Sequence, residues 1–361
     1  MSQKIVDEDI ATIAQNLGGV AKKFEGKTVL ISGAGGFLGK YIVGVLCHLN
    51  DKVFKTPCRI ISVDNYITGQ RHPHFNYRNR EEVLEVWADV THPLPVREDI
   101  HYIIHGAGLA SPVYYKKYPL ETIESAVSGV KNLLELGKKN KNLEGFLFFS
   151  SSEIYGDPEE AAVPTPETYH GYVSSVGPRA CYDESKRLGE TISTIYYEQF
   201  KMPVTIVRPF NVFGPGMSYN DRRVVPMFAY KILNKESVPV HGDGSQTRTF
   251  CYITDAITGF LKVLLQGKPG HAYNIGNDVT EISMKDLAEL FTSLEDGNAS
   301  YELIPYPEHY PAGEPQRRCP DISKAKADLN FAPQVSLEEG LERFMDWCRG
   351  DENYMRGKIS I

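Results

Sequence analysis

The sequence predicts an α/β protein with a doubly wound parallel sheet and a smaller C-terminal α+β lobe. Short apolar runs alternate with longer stretches of helical periodicity over the first two-thirds of the chain, and a glycine-rich turn, GAGGFLG, follows the first run. Alternating strands and helices favour a parallel sheet that is covered on both faces. Beyond about residue 215, clusters of Gly, Pro and Asn separate shorter segments, which is typical of a loop-rich second lobe.

The elements are predicted from apolar spacing and from the turn residues that separate them. The opening residues carry Ile10, Ile13 and Leu17 at helical spacing, which predicts a short amphipathic helix lying on the body. The predicted strands are 27–32, 59–64, 101–107, 145–151 and 203–209, and the predicted helices between them are 40–49, 119–139 and 182–199.

Composition excludes several classes of protein. The 361 residues are 42% hydrophobic and 24% charged, with a net charge of −7, so a nucleic-acid-binding surface is not expected. No run approaches the roughly 18 apolar residues that span a bilayer, and the opening lacks the pattern of a signal peptide, so no membrane partner is expected. Six cysteines without CxxC or zinc-type spacing predict a reduced cytoplasmic protein without a metal site.

The glycine turn predicts a dinucleotide site. Gly33, Gly36 and Gly39 have the spacing GxxGxxG between a strand and a helix, where a backbone can approach a pyrophosphate at a helix N-terminus. Asp64 ends the second strand, 25 residues after Gly39, where a carboxylate binds the adenosine ribose and repels a 2′-phosphate. The predicted cofactor is therefore NAD. Asp89 follows a predicted third strand and could face the adenine amino group.

A second group of residues predicts proton transfer. Tyr182 and Lys186 are four residues apart in a predicted helix, so both can reach one spot, and a nearby cation favours a phenolate. Ser151 and Glu153 follow the strand at 145–151, at the edge where open α/β sheets bind ligands. A hydroxyl, a phenol and an ammonium beside a nicotinamide can take a proton from a sugar hydroxyl as hydride leaves the same carbon.

These residues together resemble the extended short-chain dehydrogenase/reductase superfamily, and within it most closely the UDP-glucuronate decarboxylase family. The resemblance covers about residues 26 to 348. It is carried by DNYITG (64–69), HGAGLASP (105–112), SSSEIYGDP (150–158), GPRACYDESKR (177–187), RPFNVFGP (208–215), NDRRVV (220–225), GDGSQTRTFCYITD (242–255) and EPQRRCPDISKAK (314–325).

The resemblance implies a Rossmann domain and a set of site residues. It implies an N-terminal extension at 1–25, an NAD-binding domain at 26–215 that the chain re-enters near 250–265, a nucleotide-sugar lobe at 216–350 and a tail at 351–361. The implied catalytic residues are Ser151, Glu153, Tyr182, Lys186 and Arg248, and the implied substrate contacts are Tyr115, Asn211, Arg223, Arg248 and Arg318. The predicted NAD contacts are Gly33, Gly36, Phe37, Leu38, Gly39, Asp64, Asn65, Thr68, Gly69, Asp89, Val90, Ala107, Tyr182 and Lys186.

The resemblance also implies decarboxylation of UDP-glucuronate to UDP-xylose through a 4-keto sugar, carried out by a homodimer. Four features depart from the family pattern: Ser151 replaces Thr, Ala126 replaces an Asn, Gly216 replaces a basic residue, and segment 165–177 looks longer. C4 epimerisation of a UDP-hexose or UDP-uronate, 4,6-dehydration and a non-catalytic NAD-binding role are therefore kept as alternatives. Glu153 speaks against the epimerase, and the lack of an Asp at position 152 speaks against the dehydratase.

Overall fold

A computed structural model describes residues 1–68, 72–75, 77, 79–295, 299–306 and 315–356. The strands are β1 (Thr28–Ser32), β2 (Arg59–Asp64), β3 (Val83–Trp87), β4 (Tyr102–His105), β5 (Gly145–Phe149), β6 (Val204–Pro209), β7 (Val212–Phe213), β8 (Val238–His241), β9 (Thr247–Thr249), β10 (Cys251–Tyr252), β11 (Ala272–Ile275), β12 (Glu281–Ser283), β13 (Tyr301–Ile304) and β14 (Arg317–Arg318). The helices are α1 (Ser2–Leu17), α2 (Phe37–Lys52), α3 (Pro112–Lys117), α4 (Pro119–Lys139), α5 (Ala180–Phe200), α6 (Val224–Leu233), α7 (Ile253–Gln266), α8 (Met284–Ser293), α9 (Ser323–Leu329), α10 (Leu337–Arg349) and α11 (Glu352–Arg356).

The central sheet has seven parallel strands in the order β11-β6-β5-β4-β1-β2-β3. β1 is an interior strand, next to the central β4, and its Ile31 is in register with Ser62 of β2 on one side and Ile104 of β4 on the other. The strand order reverses beside β1, and in doubly wound sheets ligands bind in the crevice at this point. The predicted doubly wound sheet is confirmed.

Alternate residues of the strands point into two cores on opposite faces of the sheet. One core joins the sheet to α4 and α5 and the other joins it to α1, α2 and α7. Residues of β1 and β5 are almost entirely buried, which explains why these strands read as continuous apolar runs. β11 returns the chain to the sheet edge beside β6, after α7 has packed against the same sheet.

Helix α1 is packed against the body. It contacts α2, α7 and α10, and Ile10, Ile13 and Leu17 are buried. Asp9 is also buried, and its carboxylate accepts hydrogen bonds from the hydroxyls of Tyr41 (3.3 Å) and Tyr252 (2.8 Å). The N-terminal helix is therefore held by a polar contact in addition to its apolar face.

The C-terminal lobe contains two small sheets, β8 with β13 and β9 with β12 and β14, next to α6 and α8. The first residues of the predicted tail at 351–361 pack against the body. Asp351 and Tyr354 are buried, Asp351 contacts His72 (3.0 Å), and the Tyr354 hydroxyl donates to the carbonyl of Met217 (3.1 Å). Residues 357–361 lie outside the described part of the chain.

Candidate active site

The glycine turn lies at the crevice beside β1. Gly33 has a φ of +73°, and a Cβ there would lie 2.7 Å from the backbone nitrogen of Ala107. A Cβ on Gly39 would lie 2.2 Å from the carbonyl oxygen of Gly33. Glycine at these positions lets the turn pack tightly against the end of β4 while the N-terminus of α2 stays directed at the crevice.

Asp64 lies at the carboxyl end of β2 and supports the glycine turn. One of its carboxylate oxygens accepts the N–H of Gly35 (2.8 Å) and the other accepts the N–H of Tyr66 (2.7 Å). Burial raises the pKa of this carboxyl, and the two backbone hydrogen bonds oppose that rise. A carboxylate has lone pairs for further donors, so these bonds leave Asp64 able to accept ribose hydroxyls.

A groove runs along this edge of the sheet, between the glycine turn and the carboxyl ends of β2, β3 and β4. Asn65 donates to Asp89 across it (3.3 Å). Of the predicted NAD contacts, Gly33, Gly36, Asp64, Asn65, Thr68, Asp89, Val90 and Ala107 line the groove. Phe37, Leu38 and Gly39 form the first turn of α2, whereas Gly69 lies outside the described residues.

Tyr182 is buried in the first turn of α5, next to the end of β5. The Ser151 hydroxyl forms a hydrogen bond with its phenol, and the ring of Tyr115 stacks on the Tyr182 ring, with centroids 5.6 Å apart. Burial raises the pKa of the phenol, while the Ser151 hydrogen bond and the charges of Arg223 and Arg179 lower it. The structure thus brings together the predicted hydroxyl, phenol and neighbouring tyrosine.

Lys186 lies one helical turn after Tyr182 and is also buried. Its Nζ donates to the carbonyl of Phe149 at the end of β5 (2.7 Å) and lies 5.8 Å from the centroid of the Tyr182 ring. Burial lowers the pKa of this amine to about 8. A Cβ on Gly108 would lie 3.4 Å from Nζ, so the ammonium group lies between α5 and the segment that follows β4.

Glu153 is held between two arginines. Its carboxylate forms ion pairs with Arg179, which precedes α5, and with Arg318 of β14. Both terminal nitrogens of Arg318 contact the carboxylate, and Nη2 lies 3.0 Å from Oε2. The side chains of Glu153, Arg179 and Arg318 are 19%, 12% and 5% exposed. Sequence reasoning missed Arg179, although it stands within GPRACYDESKR, three residues before Tyr182.

The other predicted substrate contacts lie on the C-terminal side of the site. Arg248 is buried and in register with Arg318 on the neighbouring strand, and its guanidinium group donates to the carbonyls of Thr247 (2.8 Å) and Pro315 (2.7 Å). Asn211 donates to the carbonyl of Thr249 (2.8 Å).

Arg223 is the most exposed of the predicted contacts. Its side chain is 38% exposed, and its Nε lies 3.0 Å from both carboxylate oxygens of Asp221. Its charge acts on the Tyr182 phenol, which places Arg223 on the side of the site facing α5.

Neither a metal site nor a membrane span is found in the part of the chain that the structure describes. No group of three or more His, Cys, Asp or Glu side chains in that part could hold a metal ion. None of the described helices is long and apolar enough to cross a membrane. All six cysteines are free thiols.

The parallel sheet, the glycine turn and the Ser151, Tyr182 and Lys186 group define an NAD-binding enzyme of the extended short-chain dehydrogenase/reductase class. Residues 29–276 match the NAD dependent epimerase/dehydratase family, and the chain belongs to that family. The predictions of the superfamily and of NAD as cofactor are confirmed.

The curated relatives are named decarboxylases. The chain is 38% identical over 317 residues to UDP-glucuronic acid decarboxylase 1 of Arabidopsis thaliana, covering 88% of this chain and 68% of that protein. It is 37% identical over 321 residues to UDP-glucuronic acid decarboxylase 1 of Danio rerio, covering 89% and 72%. The solved structure of an epimerase from Methanothermobacter thermautotrophicus shares the fold, with a TM-score of 0.80, 24% identity and coverage of 95% and 97%.

Proposed function

We propose that this protein decarboxylates UDP-glucuronate to UDP-xylose. The observation that carries the proposal is the grouping of Ser151, Tyr182 and Lys186, with Lys186 next to Gly108 of the cofactor groove and the arginine-bound Glu153 directly beside Ser151. The names of the curated relatives support the same substrate and reaction.

The reaction is a transient oxidation. Bound NAD supplies its chemistry by accepting a hydride from C4 of the sugar and later returning it to C4. Loss of the O4 proton and the C4 hydrogen makes a ketone β to the C6 carboxylate. The C5–C6 bond then breaks, CO2 leaves, and the electron pair forms an enolate with the C4 carbonyl. Protonation at C5 and reduction at C4 complete UDP-xylose.

The residues around C4 handle the proton on O4. Tyr182 takes it during oxidation and gives it back during reduction, and the Ser151 hydroxyl holds the same oxygen. The Lys186 ammonium is fixed by the Phe149 carbonyl and lies beside the phenol ring, so its positive charge favours the phenolate. We assign the ribose of NAD to Asp64, since its oxygens lie at the groove wall.

The substrate side of the site is rich in arginine. Arg248 and Arg318 are adjacent on β9 and β14, and Arg223 lies near Tyr182. Guanidinium groups suit a diphosphate and a sugar carboxylate because they donate in a planar fork. We assign these three arginines and Asn211 to UDP, and Tyr115 to the sugar, because its ring stacks on Tyr182.

Assembly and location complete the proposal. Helices α4 and α5 pack together and leave five large apolar side chains between 38% and 69% exposed, namely Leu120, Ile123, Leu188, Ile195 and Phe200. A second copy of the chain covering this face would form a four-helix homodimer interface. Six free thiols, five of them buried, favour a reducing compartment, and we place the protein in the cytoplasm.

Incubation with UDP-glucuronate and NAD in heavy water tests the function. The expected products are CO2 and a pentose nucleotide carrying deuterium at C5, without net formation of NADH because the hydride returns. A retained carboxylate with inverted C4 would instead identify a C4 epimerase. Loss of water from a hexose nucleotide would identify a 4,6-dehydratase, and absence of turnover of every nucleotide sugar tried would favour a non-catalytic NAD-binding protein.

A further inference from the structure

Arg179 links Glu153 to the catalytic helix. It is the N-cap residue of α5, and its carbonyl oxygen accepts the N–H groups of Tyr182 (2.9 Å) and Asp183 (3.1 Å). Its guanidinium group forms an ion pair with Glu153, and its Nε lies 3.5 Å from a carboxylate oxygen of Asp183. One residue therefore holds the Tyr182 backbone through its main chain and the Glu153 carboxylate through its side chain.

These charges are poorly exposed, so their pairing matters. The side chains of Arg179, Asp183 and Glu153 are 12%, 9% and 19% exposed. A charged hydrogen bond in such a place is stronger than at the surface, so the ion pair with Arg179 has a strong effect on where the Glu153 carboxylate lies.

The two arginines approach Glu153 from different parts of the chain. Arg179 precedes α5, next to the main sheet, whereas Arg318 belongs to β14 of the C-terminal lobe. Without the side chain of Arg179, the Glu153 carboxylate would keep its partner in the C-terminal lobe and lose the one that is joined to Tyr182.

We infer that Arg179 is a positioning residue that fixes the Glu153 carboxylate relative to the Tyr182 phenol. This role rests on the proposed decarboxylation. Because Ser151, Tyr182 and Lys186 already account for the O4 proton in C4 oxidation, we assign Glu153, which follows Ser151 closely in the chain, to the later steps at C5 and C6. Loss of the Arg179 side chain also removes a charge that lowers the pKa of the Tyr182 phenol, so C4 oxidation should slow somewhat, and the steps that follow it should slow much more.

A matched control is available on the same helix. Arg187 donates to the carbonyls of Ile154 (2.9 Å) and His170 (2.8 Å), so it holds the segment after Glu153 through its backbone. The Arg187→Gln variant removes an arginine from α5 without removing an ion pair of Glu153.

The experiment compares R179Q, R187Q, E153Q and R179Q/E153Q in rapid mixing of the NAD-bound protein with UDP-glucuronate. The near-ultraviolet absorbance of reduced nicotinamide reports C4 oxidation, and trapped CO2 reports the next step. We expect R179Q to release CO2 about 100-fold more slowly, the scale of a misplaced catalytic group, with a transient build-up of reduced nicotinamide. R187Q should show no build-up of reduced nicotinamide. The double variant R179Q/E153Q should release CO2 no more slowly than E153Q.

The outcomes separate this role from a structural one and from failure of the proposed function. If R179Q oxidises C4 slowly and no reduced nicotinamide builds up, Arg179 supports only the position of Tyr182. This result would overturn the inference. The inference would also be overturned if the double variant slowed CO2 release by the product of the two single effects, since R179Q and E153Q would then act independently. Failure of the wild-type protein to release CO2 would refute the proposed function, and the role of Arg179 in it, before any variant is compared. Urea unfolding of each variant shows whether the fold is intact.

Discussion

Replacing Asp9 by Asn should change how the free energy of unfolding depends on pH. Asp9 is 1% exposed in α1 and accepts hydrogen bonds from Tyr41, Tyr252 and Arg343. Burial raises the pKa of its carboxyl from 3.8 to about 6, and the charge of Arg343 offsets this rise only in part. Because the pKa is higher in the folded protein, the contribution to stability is complete below about pH 4 and is lost as pH rises through about 6.

The size of the effect follows from the two pKa values. At about 1.4 kcal/mol for each pH unit of difference, full ionisation of Asp9 costs the fold about 3 kcal/mol. Linkage places about half of this loss, on the order of 1 to 2 kcal/mol, between about pH 5 and about pH 7.5. The D9N variant does not titrate at this position, so its unfolding free energy relative to wild type should rise by that amount between the two pH values.

Urea unfolding at both pH values measures this difference, with Asp7→Asn as the control. Asp7 is an exposed carboxylate two residues earlier on the same helix, so D7N should follow the wild-type pH dependence. Any constant loss caused by broken hydrogen bonds cancels, because only the change with pH is compared. If the free energies of unfolding of D9N and wild type change with pH in parallel, the conclusion that burial raises the pKa of the Asp9 carboxyl is wrong.

Three further outcomes are expected. Tyr182→Phe should keep the fold and NAD binding but cut turnover by at least about 100-fold, as measured by CO2 release, and unchanged turnover would remove the phenol from the mechanism. Asp64→Ala should weaken NAD binding in titration calorimetry and relax discrimination against NADP, whereas a wild-type preference for NADP would show that the ribose site is misassigned. Light scattering at micromolar concentration should show a dimer that Leu188→Glu weakens, since Leu188 is 46% exposed on α5, and a wild-type monomer would contradict the proposed interface.

The parts of the fold that could be predicted are those whose cause is local. β1 and β5 are continuous apolar runs because they are interior strands of a sheet covered on both faces, and α2 begins inside the glycine motif, at Phe37. β11 was not among the predicted strands. It has four residues and includes the polar Asn274, and it is defined mainly by pairing with β6, which lies far earlier in the chain.

The same distinction applies to the site. The Tyr182–Lys186 pair is visible in the sequence because helix geometry brings residues four apart together. The surroundings of Glu153 are not visible in this way, since Arg179 is 26 residues away and Arg318 is 165 residues away. Only the return of β14 beside the site brings Arg318 to Glu153, and no periodicity in the sequence reports such a contact.

Two of the departures from the family pattern, Gly216 and Ala126, have local structural explanations. Neither changes the contacts of Ser151, Tyr182 and Lys186. Gly216 has a φ of +91°, and a Cβ there would lie 3.1 Å from the ring of Phe75, so backbone conformation and space both favour glycine. A basic side chain nevertheless lies next to Gly216, because the buried Nζ of Lys40 donates a hydrogen bond to the Gly216 carbonyl (3.3 Å).

Ala126 is 1% exposed within an uninterrupted α4, where a small apolar side chain fits the packing against α5. Neither departure alters the hydrogen bond between Ser151 and Tyr182 or the Lys186 contact with the Phe149 carbonyl. The two substitutions that motivate a non-catalytic interpretation therefore leave intact the geometry on which proton transfer depends.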